Sequence, residues 1–332
     1  MSKNATGAAF RLLALTQAVW GALPADPVAE VLYTSAFELT DSQPEEQDPT
    51  LGSGFRGQAA GVKGRVDVSG TASVVIGTSI GPWLKHLIGA PTTTGSAGAY
   101  VHTFAVGTGA NALPAALMLE GDFGARIGIP GRYIRNRDVR IGSASFALSS
   151  STTLQTATFN LVGGSKRTLP AAPVDETPQD FGHRAFALAD MTLQLDGGAT
   201  EVCVESWNIE WNNDLDTDLY CLNDGGQRHD LPEGQAIITG TGVAQFDTAA
   251  LLAKAEAGED LAVQVRFRRG SGNGTAGNEE LTLNVPLSSF QAPTPGVTGP
   301  RGIKQNFNFT AYRPTGGEVG VTAVLKVPRA TI

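Results

Sequence analysis

The chain has 332 residues, with 24 Lys and Arg against 32 Asp and Glu, which gives a formal net charge of −8. It has 41 Gly and 17% charged residues, whereas soluble domains average about 7% Gly and about 25% charged residues. The acidic balance argues against a protein that grips nucleic acid through a basic face. The 41% of apolar residues, spread evenly along the chain, argue against disorder.

Two cysteines, Cys203 and Cys221, are too few for a disulfide framework or a cysteine-based zinc site, and we expect both to be core thiols. The apolar stretch 8–23 is interrupted by Arg11 and Gln17 and lacks a cleavage signal. We therefore expect no signal peptide and no membrane span.

Most of the sequence shows the alternation of apolar and polar residues that is typical of β-strands. In chain order, the clearest predicted strands are 64–70, 143–148, 156–161, 191–195, 261–267, 307–312 and 319–327. Two short helices are predicted at 82–88 and 247–257, because each has a helix-start residue and ends at a glycine. The segment 10–20 fits either a helix or a strand, and we favour a strand.

The chain also contains an internal repeat. The segment 64–71 (GRVDVSGT) returns as 234–241 (GQAIITGT), and we call the sequence distance from Gly64 to Gly234 the repeat offset. At nearly the same offset, Ser35-Ala36-Phe37 returns as Ser206-Trp207-Asn208. Each half then has one helix, a strand pair and a closing hairpin in the same order. The predicted strand pairs are 100–106 with 115–120 and 261–267 with 279–284; the predicted hairpins are 143–148 with 154–162 and 305–312 with 319–327.

This order indicates a duplication. We predict a first repeat at 1–163, a Pro-rich polar linker at 164–184 and a second repeat at 185–332.

Each half also has a long loop before its glycine-initiated strand, at 40–58 and 212–232. Loops of this length inside a compact domain are usually functional or reach a partner. Their charged residues are therefore candidate contact residues: Asp41, Glu45, Glu46, Asp48 and Arg56 in the first loop, and Asp214, Asp216, Asp218 and Arg228 in the second.

The strongest catalytic pattern is Gly-Thr-Ser-Ile-Gly at 77–81, which fits a nucleophile elbow with Ser79 between a strand and a helix. Such a site needs an alternating βα chain and an activating histidine. This chain is nearly free of helices, and His183 and His229 lie in polar loops. A Ser79 hydrolase is therefore a minor hypothesis, and we predict no catalytic residue.

No cofactor or metal motif has the right context. The segments 52–57 and 272–277 match G-x-G-x-x-G, but neither is followed by the helix that a dinucleotide site needs. Asp214, Asp216 and Asp218 resemble the start of a calcium loop, but Leu219 and Gly225 occupy the positions that require Gly and Glu. We predict neither a cofactor nor a bound metal.

With the repeat and the loops considered together, the sequence resembles the tail tube proteins of long-tailed, non-contractile phages. The resemblance covers nearly the whole chain and depends on diffuse patterns of small and apolar residues. These are 51–54 leading into 64–70, 83–89 and 100–104 in the first half, and 205–209, 233–234 and 300–303 in the second.

The resemblance implies a mainly β fold: two tandem tail-tube repeats of β-sandwich or partial-barrel type, each with one short helix and a long inter-ring loop. It also implies a virion protein, made in the host cytoplasm, whose rings stack into the tail tube. The nine charged loop residues become candidate inter-ring contacts, with Arg132, Arg135 or Arg137 as partners on the next ring.

In this family six copies of the tube fold usually surround the channel, so a duplicated chain predicts a homotrimeric ring with pseudo-sixfold symmetry; a homohexamer is the alternative. The implied partners are the tail tip, terminator and tape-measure proteins. Double-stranded DNA is expected to pass through the lumen without specific binding, because an acidic lumen repels it. A competing hypothesis is a virion β-sandwich adhesin that binds the host.

Overall fold

The computed structural model describes residues 7–48, 60–106, 116–124, 132–198, 203–246, 249–297, 302–312 and 320–332. These residues form two short α-helices, α1 (Gly81–Ile88) and α2 (Ala250–Ala257), and a large set of strands, so the predicted mainly β fold is confirmed. The strands are β1 (Arg11–Thr16), β2 (Glu30–Leu32), β3 (Ala36–Ser42), β4 (Glu45–Gln47), β5 (Gly61–Lys63), β6 (Asp67–Val75), β7 (Thr92–Ser96), β8 (Ala99–Ala105), β9 (Leu117–Asp122), β10 (Tyr133–Ser149), β11 (Thr156–Gly163), β12 (Met191–Leu195), β13 (Val204–Asn212), β14 (Ile237–Gln245), β15 (Val263–Arg268), β16 (Glu280–Val285), β17 (Ser288–Gln291), β18 (Lys304–Ala311) and β19 (Thr322–Val327).

Two open sheets enclose the core. The larger sheet has the strand order β17-β18-β14-β13-β10-β11-β6-β3, with β1, β2 and β9 attached beside β10. The smaller sheet has the order β12-β15-β16-β19-β8-β7. Apolar side chains from both sheets and from α1 form one hydrophobic cluster, as expected of a sandwich in which each strand buries alternate residues.

The smaller sheet combines strands from both halves of the chain. Strand β19, near the C-terminus, pairs with β8 of the first half, with Leu325 opposite His102. Strands β12 and β15 pair with Leu193 opposite Val265. The two halves therefore share a sheet as well as a core.

Two predicted strand pairs are wrong. Strand β8 belongs to the smaller sheet and β9 to the larger one, so the predicted pair 100–106 with 115–120 does not form. The predicted hairpin 305–312 with 319–327 is likewise divided, since β18 pairs with β14 and β17 while β19 pairs with β16 and β8. Both predictions assumed that strands adjacent in the chain are paired in a sheet. In the structure the two strands of each predicted pair belong to different sheets.

Other local predictions are confirmed with small shifts. The segment 10–20 contains β1, the hairpins β10–β11 and β15–β16 form, and α1 begins one residue before its predicted start. The strand predicted at 64–70 begins only at Asp67. The proposed N-cap Asp247 lies outside the described residues. Cys203 and Cys221 are exposed, so their assignment as core thiols is wrong.

Helix α1 is almost completely buried. Pro82 suits its first turn, where a missing N–H is tolerated. The Trp83 ring stacks on Phe159 of β11 at 4.9 Å between centroids. Lys85 is the partly exposed residue of the helix, and its Nζ donates to the backbone oxygen of Ile332 at 3.0 Å. The helix thereby ties the C-terminus to the larger sheet.

The segment 164–184 lies along the first half and is fastened to it at several points. Val174 N–H donates to Glu120 at 2.9 Å, and Ala29 N–H donates to Asp175 at 3.0 Å. The Tyr33 hydroxyl donates to Asp180 at 2.6 Å.

Among the described residues, no helix has the length and apolar character needed to cross a membrane.

His86 on α1 gives the fold a pH dependence. Burial, followed by the nearby Lys85 charge, lowers the pKa of His86 to about 3. In the unfolded chain His86 takes up a proton below about pH 6.5, whereas in the folded chain it stays neutral until the pH approaches 3. The free energy of unfolding is therefore highest above pH 6.5 and declines as the pH falls toward 3. We expect a loss of about 1.4 kcal/mol of unfolding free energy per pH unit, roughly 2 kcal/mol at pH 5.

Urea unfolding at pH 7.5 and pH 5.0 measures this effect. The variant His86→Leu should lose less stability than the wild type between the two pH values, whereas His229→Gln, at an exposed side chain, should behave as the wild type. Equal losses in His86→Leu and the wild type would show that His86 is not responsible.

Candidate assembly surfaces

Eight strands of the larger sheet fall into two sets of four with the same connectivity. In chain order, the first set is β3, β6, β10 and β11, and the second is β13, β14, β17 and β18. Their orders in the sheet are β3-β6-β11-β10 and β13-β14-β18-β17. In both sets, numbered in chain order, the first strand pairs with the second, the second pairs with the fourth, and the fourth pairs with the third.

The register is also the same in the two sets. Leu39 of β3 lies opposite Gly70, and Ile209 of β13 lies opposite Gly240, so both partners are related by the repeat offset. A β-carbon at Gly70 would collide with the Glu38 carbonyl oxygen, and one at Gly240 would lie 2.6 Å from the Asn208 carbonyl oxygen. Close backbone approach therefore requires glycine at both positions.

The two sets join inside the chain through β10 and β13. This antiparallel junction places Phe146 opposite Ile209 and Leu148 opposite Trp207, and all four side chains are buried. The opposite ends of the two sets are the edge strands of the described sheet, β3 and β17. Edge strands present backbone N–H and C=O groups that can pair with another chain.

The side of this sheet that faces away from the core is polar along the middle of the strands, and Lys304 lies on the same side at the start of β18. We call the middle of this side the polar face. Two central positions on each of the eight strands define it, and none of the sixteen is Lys or Arg. They are Glu38, Thr40, Ser69, Thr71, Ser143, Ser145, Thr158, Asn160, Asn208, Glu210, Thr239, Thr241, Ser289, Gln291, Asn306 and Asn308.

Neighbouring side chains on the polar face hydrogen-bond to one another. Asn160 Nδ2 donates to Ser143 Oγ at 2.7 Å, and Ser145 Oγ donates to Asn208 Oδ1 at 2.9 Å. Asn208 Nδ2 donates to Glu210 Oε1 at 3.0 Å. These bonds engage donors that would otherwise be available to a passing molecule. The sequence motifs did not reveal this face, although Thr, Ser and Asn at alternate strand positions are its signal.

The first loop is partly a β-ribbon. Strand β3 continues to Ser42, so Asp41 lies in a strand, where its Oδ1 is 2.9 Å from Arg167 Nε and its side chain is only 6% exposed. Strands β4 and β5 then pair, with Glu45 opposite Lys63 and both residues exposed. Glu46 and Asp48 are also exposed. Arg56 lies outside the described residues.

Arg228 anchors the second loop. Its guanidinium is buried, pairs with Asp67, and donates to the carbonyl oxygens of Gly163 at 2.6 Å and Thr217 at 2.7 Å. Because these bonds join the loop to β6 and β11, Arg228 faces its own chain. Of the nine candidate contact residues, Arg228 and Asp41 are thus engaged inside the subunit.

The three candidate aspartates of the second loop, Asp214, Asp216 and Asp218, are exposed. Asp214 adopts a positive φ of 50°, and Asp216 accepts the N–H of Asp218 at 3.0 Å. Hydrogen bonds of this kind are typical of a turn. They hold the loop in one shape and leave its carboxylates toward solvent.

The three candidate basic partners differ in availability. Arg135 binds the fully buried Glu120 at 2.6 Å and is therefore committed within the chain. Arg132 stacks over Tyr133 at 4.4 Å from the ring centroid; its Nε lies 3.4 Å from Asp122 Oδ1, and its side chain is 30% exposed. Arg137 donates to the carbonyl oxygen of Gly21 at 3.0 Å.

The structure brings Ser79 and His183 together, with Ser79 Oγ 2.7 Å from His183 Nδ1. A catalytic triad uses Nε2 toward the serine and Nδ1 toward an acid. Here Nδ1 faces the serine, Asp180 accepts from Tyr33, and Ser79 is 4% exposed. Burial lowers the pKa of His183. The pair fastens the segment 164–184 to the turn before α1.

A second grouping unites Cys221, Asp224 and His229 in the second loop, with their ligand atoms within 4.8 Å of one another. His229 Nδ1 lies 3.0 Å from Asp224 Oδ2. A structural zinc site takes four ligands, so these three residues are an incomplete set within the described part of the chain.

Comparison with known proteins identifies the family of this chain. The profile of a family described as phage tail tube protein matches residues 7–311, which include every strand of the larger sheet. A search of curated proteins returns no match. The chain therefore belongs to the phage tail tube protein family and is a structural protein of the phage tail.

Proposed function

We propose that this chain is the repeating subunit of the tail tube, that its copies close into stacked rings, and that the phage genome passes through the lumen. The observation that carries the proposal is the larger sheet, in which two sets of four strands repeat one connectivity and leave β3 and β17 as edges. The predicted repeats 1–163 and 185–332 are the units of this duplication.

The internal junction provides a template for joining copies. Strand β10 ends the first set and β13 begins the second, and the two strands pair. Strand β17 occupies the place of β10 in its set, and β3 occupies the place of β13. Pairing β17 of one copy with β3 of the next repeats the internal junction between chains. Such a head-to-tail interface forms a ring when its rotation closes.

The duplication sets the number of chains. Three chains would supply six four-stranded sets around the channel, whereas a homohexamer would supply twelve. Because six sets match the six copies of the tube fold that usually surround the channel in this family, we favour a homotrimer with pseudo-sixfold symmetry. Such a trimer carries a net charge of three times −8.

The polar face suits a conduit for DNA. Duplex DNA carries about one negative charge per 1.7 Å, and Lys or Arg would bind it by displacing counterions. The sixteen central positions have two carboxylates, Glu38 and Glu210, and no cation. Turned toward the lumen, this face would repel DNA weakly and offer few binding points along the passage.

The long loops are the proposed ring-to-ring contacts. Glu45 and Glu46 on the β4–β5 ribbon and Asp214, Asp216 and Asp218 in the second loop are exposed. Arg132 and Arg137 are the proposed basic partners on the next ring. The tail tip, terminator and tape-measure proteins are the proposed partners of the finished tube, which would be assembled from subunits made in the host cytoplasm.

One observation favours the adhesin alternative. Phe10, Phe37 and Phe123 line a cavity of about 650 Å³ beside β3, together with Tyr33 and Arg11. An aromatic cavity is the kind of feature that a host-binding module would use.

Negative-stain electron microscopy and mass photometry of the same purified sample distinguish these functions. We expect rings or tubes, with a ring mass of three times 34.5 kDa. A ring of twice that mass would support the homohexamer. A protein that remains monomeric even at high concentration would contradict the tube proposal and support the adhesin.

Charge reversal on the β4–β5 ribbon tests the stacking contact. We expect Glu45→Lys with Glu46→Lys to shorten or abolish tubes while leaving single rings, because like charges would then face Arg132 or Arg137 across the ring interface. Tube length in electron micrographs is the measurement.

The matched control is Glu256→Lys with Glu259→Lys, a reversal of two exposed acids at the end of α2. It changes the net charge equally and should leave tube length unchanged. Tubes of normal length in the ribbon variant would show that this contact is assigned incorrectly.

A further inference from the structure

We infer that residues 291–297 extend β17 along β3 of a neighbouring copy, in the register that places Gln291 opposite Ser42 and Thr294 opposite Leu39. The inference rests on the proposed function and specifies its ring interface. We call this interchain pairing the seam.

The register follows from equivalent positions in the two sets of strands. Leu161 of β11 lies opposite Gly70, and Phe309 of β18 lies opposite Gly240. Asn160 and Asn308 are therefore equivalent. Their partners on the third strand of each set are Ser143 and Gln291. Gln291 thus corresponds to Ser143.

At the internal junction Ser143 lies opposite Asn212, and Phe146 lies opposite Ile209. The repeat offset that relates Gly70 to Gly240 also relates Ser42 to Asn212 and Leu39 to Ile209. Copying the junction to the seam therefore sets Gln291 opposite Ser42, and Thr294, three positions later, opposite Leu39.

The segment is free to form this pairing. Residues 292–297 lie outside any strand, and Pro293, Thr294 and Val297 are exposed. The outer edge of β17 is covered at Ser288, whose carbonyl oxygen accepts the Leu261 N–H at 3.0 Å. Among the described residues, the part of this edge without a backbone partner is the end of β17 and the segment 292–297.

Two prolines after β17 lie at odd-numbered positions, where the seam needs no backbone N–H donor. Leu287 O accepts the Tyr312 N–H on the β18 side, so the odd-numbered residues of an extended continuation face β18. Pro293 and Pro295 thus remove donors on the side of their own sheet. The N–H groups of Thr294 and Gly296 face the open side and stay available to the neighbour. Proline is tolerated where no ladder bond is needed.

On β3, the facing strand, the backbone groups of the odd-numbered residues point toward the seam. On the β13 side of the junction an odd-numbered residue, Asn213, donates its N–H to Gly142 O beside β10 at 2.8 Å. The repeat offset is an even number, so the backbone groups of the odd-numbered Leu39 face the open edge of β3. Donors and acceptors therefore alternate correctly across the seam.

The seam is less tightly packed than the internal junction. Phe146 and Leu148 fill the core side of that junction, whereas Thr294 and Gly296 occupy the equivalent places at the seam. The aromatic cavity that includes Phe37 lies at the same edge. Smaller side chains bury less apolar area, so this join contributes less free energy than the one inside the chain.

Cysteine cross-linking tests the register. In a background with Cys203→Ser and Cys221→Ser, the pair Ser42→Cys and Gln291→Cys should form an interchain disulfide under mild oxidation. The two residues form a non-hydrogen-bonded pair, with an expected Cα separation of about 4.5 Å. Non-reducing gels should show covalent oligomers that end at three chain masses for a trimeric ring.

Two matched pairs are the controls. Ser143→Cys with Asn212→Cys is the equivalent pair inside the chain and should oxidise without a gain in mass. Ser42→Cys with Ser289→Cys is displaced by two positions on the same face and should cross-link poorly. Electron microscopy of each sample reports whether rings or tubes are present.

The outcomes separate the seam from the function. If rings or tubes form but the 42–291 pair stays reduced while the 143–212 pair oxidises, the register is overturned and the tube function stands. More cross-linking at 42–289 than at 42–291 also overturns the register. If the unmodified protein never assembles, the proposed function fails, and the seam fails with it.

Discussion

An open antiparallel sheet has two edges whose backbone groups lack partners, and this constraint organises the whole molecule. Between the two sets of strands in the larger sheet, this constraint is met inside the chain, where β10 pairs with β13. The outer strands of the two sets, β3 and β17, repeat the two sides of that junction. We propose that a further copy of the same chain complements each of these two edges.

The alternation of strand residues gives the larger sheet two different sides. Leu39, Ile209 and Phe309 point into the core, while Thr40, Glu210 and Asn308 on the same strands lie on the polar face. Core packing holds the strands in register, so the composition of the polar face can be adjusted independently. A face of mostly uncharged, mutually hydrogen-bonded side chains, with two carboxylates and no cation among its sixteen central positions, has little affinity for a polyanion.

The mainly β fold and the hairpin β10–β11 could be predicted from sequence, because apolar and polar residues alternate along these strands. The duplication inferred from the repeat at 64–71 and 234–241 stays a prediction. The pairing of β8 with β19 could not be predicted, since the two strands lie in different halves of the chain and only burial on the smaller sheet brings them together. The burial of the Arg228 side chain could not be predicted either. An arginine in a loop has the same sequence context whether its side chain bonds to its own chain or extends into solvent. The polar face was missed because single Thr and Asn residues become informative only when the strand register aligns them.

A cryo-electron microscopy reconstruction of the assembled tube would show how neighbouring chains meet. We expect three chains per ring, an unbroken sheet that crosses each chain boundary from β17 to β3, and Glu38 and Glu210 facing the lumen. A tube wall in which β3 and β17 end without meeting, or in which the polar face lies on the outside, would contradict this expectation.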